Sequence, residues 1–112
     1  MAYNSPFTPF GSTYLVGNAA AVQVKTSNNV YPSSYRIVNV TSSLIRVSWQ
    51  PPEPNDLAVT VTVTAPALTV PQANTLSIPA NGVAVIGGIP PNAWFLSSAA
   101  SSVEITPGEG LN

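Results

Sequence analysis

The chain of 112 residues is one domain's worth, and only seven of them are charged, 6% of the sequence with a net charge of −1, where globular proteins carry about 25%. It has no histidine and no cysteine, which excludes imidazole acid–base catalysis, thiol nucleophiles, zinc or haem ligation by those residues and any disulfide framework. The hydrophobic fraction of 45% separates it from the low-hydrophobicity, high-charge composition of disordered chains.

In chain order, the opening Met1-Ala2-Tyr3-Asn4-Ser5-Pro6 has neither a basic stretch nor an apolar run, so it does not read as a secretory signal. Residues 1–19 read as an extended N-terminal arm. Pro6 and Pro9 bar it from helix and ladder, and Tyr3, Phe7 and Phe10 are spaced to be laid on a surface. That surface is a partner or the arm's own domain. Residues 20–106 read as a β-domain. Twelve prolines, about twice the usual share, punctuate the chain, and the gaps are filled by Val, Ile, Thr, Tyr and Trp, the strand formers. Strands are expected over 20–25, 35–40, 43–49, 57–65, 76–78, 83–86, 93–98 and 103–106. The most regular is 57–65, where Leu57, Val59, Val61 and Val63 alternate with Thr60, Thr62 and Thr64. Asn81-Gly82 predicts a hairpin between its flanking strands. Residues 107–112 read as a surface tail without periodicity.

Eight short strands between regular turn signals predict an all-β, single-domain sandwich, jelly-roll-like or, as the alternative, immunoglobulin-like. Trp94 and Phe95 are adjacent and so point to opposite faces. One is expected in the core, and the other is a candidate interface anchor together with Tyr3, Phe7 and Phe10. Trp49 is expected in the core. Arg36, Arg46 and Glu104, each embedded in a strand pattern, are candidates for a cross-strand ion pair.

No chemistry is announced. A nucleophilic serine lacks its base, Lys25 alternates out of a strand, and the four carboxylates do not converge. Gly87-Gly88 precedes Ile89-Pro90-Pro91 rather than a helix, so it reads as a turn and not a phosphate cradle. Glu53 and Asp56 are too few for calcium, which takes about 6–8 oxygens, and Asn39-Val40-Thr41 reads as a chance glycosylation sequon within a strand. No enzyme activity, cofactor or metal is expected. Three scattered basic residues cannot track phosphates or anchor to a membrane, and no apolar run is long enough to span one. A surface with so little charge loses little on being covered, which favours a part that works packed against neighbours.

Ser34-Tyr35-Arg36-Ile37-Val38-Asn39, Trp49 closing a strand, Ile89-Pro90-Pro91-Asn92-Ala93-Trp94-Phe95 and Val103-Glu104-Ile105-Thr106-Pro107-Gly108-Glu109-Gly110 together resemble small virion proteins of tailed bacteriophages, of the cement or head-decoration type. The likeness lies in the order and spacing of these pieces over residues 20–112. It implies a small jelly roll on the outside of a capsid, bridging major capsid subunits of an HK97-type shell as a homodimer or homotrimer. Such a protein is made in the host cytoplasm and carries no catalytic residues. The competing expectation is a carbohydrate- or receptor-binding module of a phage tail or fibre, with Trp94 or Phe95 near Asn92 as its platform. A third is a free-standing adhesion domain.

Overall fold

A computed structural model describes residues 7–26, 34–53, 60–68 and 70–109, and contains no helix among them. Nine strands follow in order: β1 (Thr8–Pro9), β2 (Tyr14–Val16), β3 (Val22–Gln23), β4 (Ser34–Asn39), β5 (Ile45–Gln50), β6 (Thr75–Ile78), β7 (Val83–Gly87), β8 (Trp94–Ser97) and β9 (Val103–Glu109). All pairings are antiparallel. One sheet runs β1-β9-β4-β7 with β2 also on β9; the other runs β3-β8-β5-β6. We call them the N-sheet and the W-sheet.

β1 and β2 are one interrupted strand. Thr8 and Pro9 face Glu109 and Gly108, whereas Tyr14 to Val16 face Ile105 to Val103. The N-terminal strand therefore gains two residues between Pro9 and Tyr14, a bulge held where Phe10 N–H donates to the Pro107 carbonyl at 2.8 Å. Counted as one, it gives eight positions whose sheet orders are 1-8-3-6 and 2-7-4-5. Successive strands alternate between layers except β5 and β6, which pair within the W-sheet, and the two orders nest in the same way, which is the jelly roll with its two Greek keys. The immunoglobulin arrangement, with its first two strands in one sheet, does not fit.

The strand register carries the core. Tyr35, Ile37, Ile45, Val47, Phe95, Val103 and Ile105 are fully or nearly fully buried between the sheets, alternating with outward residues at the period of two. Tyr35 and Phe95 meet edge to face, ring centroids 5.1 Å apart. Tyr35 is a core residue with a polar end. Its hydroxyl donates to the Pro90 carbonyl at 2.6 Å and accepts from Ala93 N–H at 3.3 Å, and burial pushes its pKa from 10.0 up to about 12. Trp49 packs against this cluster, as expected.

Four expectations are corrected. The segment 57–65 lies outside the described residues up to 59, and from 60 to 65 it forms no strand. Both neighbours of β5 are already taken, by β8 and β6. The segment instead crosses the outer face of the W-sheet. The Thr64 carbonyl accepts the Ser48 hydroxyl at 2.6 Å, and the Ala67 and Val70 carbonyls accept Arg46 Nη1 at 2.7 and 2.6 Å. Its alternation survives as burial, with Val63 covered and Thr62 and Thr64 exposed. Apolar period two records a segment with one face down, whether or not a ladder forms.

Asn81-Gly82 makes a turn but no hairpin, because β6 and β7 belong to different sheets. Gly82 N–H closes on the Pro79 carbonyl at 2.9 Å, and of the two central residues only Asn81 has positive φ, 56°, a type II turn rather than type I′. The strands also overrun the expected domain limits of 20 and 106. Residues 8–16 supply an edge of the N-sheet, and Pro107 and Gly108 are buried within β9. Finally, Arg46 meets Ser77 Oγ at 3.2 Å and two backbone carbonyls in place of a carboxylate. No ion pair forms between Arg36, Arg46 and Glu104.

Candidate functional site

Of the five candidate interface residues, the four that the structure describes do not come together. Tyr3 lies outside the described residues. Phe7 lies over Gly108, where an added Cβ would stand 2.6 Å from Phe7 Cζ. It helps line an open groove of about 430 Å³ with Pro9, Thr13, Arg36 and Thr106. Phe10 is half-buried beside β9. Phe95 is wholly buried in the core, so its candidacy as an interface anchor is corrected. Its β8 position opposite Trp49 of β5 turns it inward. Trp94 takes the outer face of the W-sheet between Gln23 of β3 and Gln50 of β5. There it is half-buried, and its indole Nε1 is enclosed without a hydrogen-bond partner.

What the fold does assemble is one end of the sandwich. The loops 17–21, 40–44, 79–82 and 98–102 gather there, and none of their residues is charged. Lys25, Glu53 and Glu109 belong to the opposite end, and Arg36, Arg46 and Glu104 to the sheets. The loops carry Ala, Ser, Asn, Thr and Gly, with Val40 and Leu44 standing about half exposed at 47% and 49%. A shallow hollow of about 310 Å³ opens between Gly17, Ala19, Ala20, Ala100 and Ser101.

This end is held rigidly by buried polar side chains. Asn39, the last residue of β4, is 1% exposed. Its amide nitrogen donates to the carbonyls of Ser43, Ile78 and Pro79 at 2.9–3.1 Å. Its amide oxygen accepts from Thr41 N–H at 2.9 Å and Thr41 Oγ1 at 2.7 Å. One side chain thereby ties the 40–44 loop to the 79–82 loop. Its full commitment also closes the sequon to a glycan. The Ser97 and Ser102 hydroxyls bond each other inside the 98–102 loop, and Ser102 Oγ donates to the Ala99 carbonyl at 2.8 Å. Backbone bonds finish the joins: Val40 N–H to the Ser102 carbonyl, Asn81 N–H to Thr41, and Ser97 N–H to Gly17, all at 2.9–3.0 Å. Gly17 is required by closeness, because a Cβ there would stand 2.8 Å from Ser101 N. A satisfied buried network specifies a single geometry, so the end presents a preformed surface that loses little entropy when covered.

Among the described residues no group of three or more acidic side chains could hold a metal ion. The chain matches no protein-family model, no curated protein and no solved structure.

Sequence reasoning had not singled out the uncharged end. The signal was present in the spacing of the charges: none falls between residues 57 and 103. Only the alternation of strands between sheets brings the four loops into one surface.

Proposed function

We propose that this chain is a non-enzymatic structural protein of a tailed-phage virion, a cement protein that sits on the outer surface of the capsid and bridges neighbouring copies of the major capsid protein. The observation that carries the reading is the uncharged, internally braced loop end, with Val40 and Leu44 exposed. Small neutral side chains on a rigid frame dock closely without stripping water from charges, and charge is what the centres of protein interfaces lack. The surroundings agree. The whole chain exposes 6174 Å² with seven charged residues, so few groups anywhere on it resist being covered. Repetition over a lattice makes many such weak contacts into firm attachment. Jelly rolls serve in viral capsids and in lectins alike, so the fold supports the reading by analogy alone. The sugar-binding alternative is weakened because Phe95 is core and Trp94 is half-buried between two glutamines, so neither residue expected to form its platform offers an open one.

The test is co-sedimentation of the purified protein with emptied heads from tailed phages of the same source. Wild type is expected to pellet with the heads and raise their disruption temperature. Val40→Asp with Leu44→Asp places two charges on the neutral end and is expected to abolish both effects while the protein still melts cooperatively. Undiminished binding by that double variant overturns the assignment of the surface, and no binding by wild type overturns the function.

A further inference from the structure

We propose that the outer face of the N-sheet is a self-complementary surface through which two copies of this chain pair about a two-fold axis, with Arg36 of one copy against Glu104 of the other. The register puts Val83, Val38, Glu104 and Leu15 in one row across β7, β4, β9 and β2. Val85, Arg36 and Thr106 form the row beside it. In the first row Leu15 and Val83 are 55% and 51% exposed, and Glu104 is exposed as well, while Arg36 and Thr106 of the second row are half-buried along the open groove that Phe7, Pro9 and Thr13 line. Leu15 and Val83 open to water, with the half-buried Val38 and Val85 between and beside them, make an apolar face of the kind that partners cover.

The occupant is indicated by charge. The two rows carry one positive and one negative side chain, and among the described residues neither has a hydrogen bond or ion pair of its own. Arg36 and Glu104 sit diagonally, on neighbouring strands and neighbouring rows, beyond the direct cross-strand position. A two-fold axis lying between two such faces and bisecting that diagonal sets each Arg36 over the other copy's Glu104, twice per dimer, with the valines and Leu15 packed around them. An isologous interface requires this self-matching. A partner of other chemistry would need its own charges arranged to suit, whereas a second copy supplies them by symmetry. The face offers fewer residues than the about 20–30 per side of a standard stable interface, so the pairing is concentration-dependent. It needs no capsid and stands apart from the function proposed above.

Sedimentation equilibrium from micromolar to near-millimolar protein is expected to show a monomer–dimer equilibrium that weakens as salt is raised. Glu104→Arg and Arg36→Glu each oppose like charges across the axis and are expected to weaken dimerisation at least about tenfold. The double variant Arg36→Glu with Glu104→Arg restores opposite charges and is expected to recover the dimer. Near-ultraviolet circular dichroism confirms that each variant is folded. A wild type that stays monomeric over the whole range overturns the proposal, as do single variants that dimerise like wild type or a folded double variant that does not recover. The shell reading is scored separately on the Val40 and Leu44 variants, so either proposal can fail without the other.

Discussion

The two outer faces of this sandwich are built from the same kind of sequence and end in opposite environments. On the W-sheet, Ser48, Arg46 and Leu96 point outward and are covered by the chain's own crossing segment, whose backbone carbonyls take hydrogen bonds from Ser48 and Arg46. Leu96 is accordingly 8% exposed. On the N-sheet, Val83 and Leu15 also point outward, and each is more than half exposed. An outward apolar residue is therefore not by itself a sign of an interface. What separates the two faces among the described residues is that the crossing segment seals Leu96 on one while Leu15 and Val83 stand exposed on the other.

The difference can be tested by substitution. The largest effect is expected on the covered face, where Leu96→Ala removes a buried aliphatic side chain and is expected to cost about 2–4 kcal/mol, measured as the shift in urea midpoint at constant slope. A loss below about 1 kcal/mol would mean that the crossing segment does not seal this face in solution.

The next effect belongs to neither face and calibrates both. Tyr35, between the sheets, has its pKa raised from 10.0 to about 12 by burial. The native state thus holds its proton through a pH range in which the unfolded chain has released it. The stabilisation is complete below about pH 10 and is lost as pH rises toward about 12, a fall on the order of 2 kcal/mol. Tyr35→Phe is expected to flatten that part of the stability–pH curve. A curve unchanged by the substitution would remove Tyr35 as its cause.

The smallest effect is expected on the open face. Val83→Ser should change monomer stability by no more than about 0.5 kcal/mol, read from urea melts at concentrations too low for association. If it cost as much as Leu96→Ala, the N-sheet face would be covered within the monomer, and the contrast between the faces would disappear.

Much of the architecture was legible because strand residues announce themselves locally. Six of the expected strands, from 35–40 onward apart from 57–65, coincide with β4 to β9 within a few residues, and the expected 20–25 survives as the short β3. Each carries its own alternation and its own Pro, Gly or Asn boundary. The interrupted first strand was not legible. Thr8-Pro9 is too short to alternate, and Pro9, which lacks an N–H, fits only an edge. Its place is set by β9, at the far end of the chain. The sequence 57–65 misled for the complementary reason: Val/Thr alternation specifies a buried side, not a hydrogen-bonding neighbour. Of the candidate site, only the long stretch without charges was readable; Val40 and Leu44 read as strand residues and proved to be exposed in a loop. Their convergence with residues 17–21 and 98–102 was not, nor was the part of Asn39, which read as a strand residue in a sequon and proved to be the tie between two loops.

By itself, then, the amino-acid sequence determined the class of structure and the character of the surface. Proline at short intervals and β-branched residues between allow only short strands, and seven charges cannot give a strongly charged exterior however the chain folds. These are properties of composition and of neighbours along the chain. The tertiary structure decided which strands share a sheet, which of Trp94 and Phe95 is buried, that four uncharged loops form one end, and that the crossing segment covers one sheet face while Leu15 and Val83 stand exposed on the other. Those outcomes depend on contacts between residues far apart in sequence, where local preference is silent and the winning arrangement is the one that buries Tyr35, Phe95 and the aliphatic core together while pairing the backbone groups that go with them.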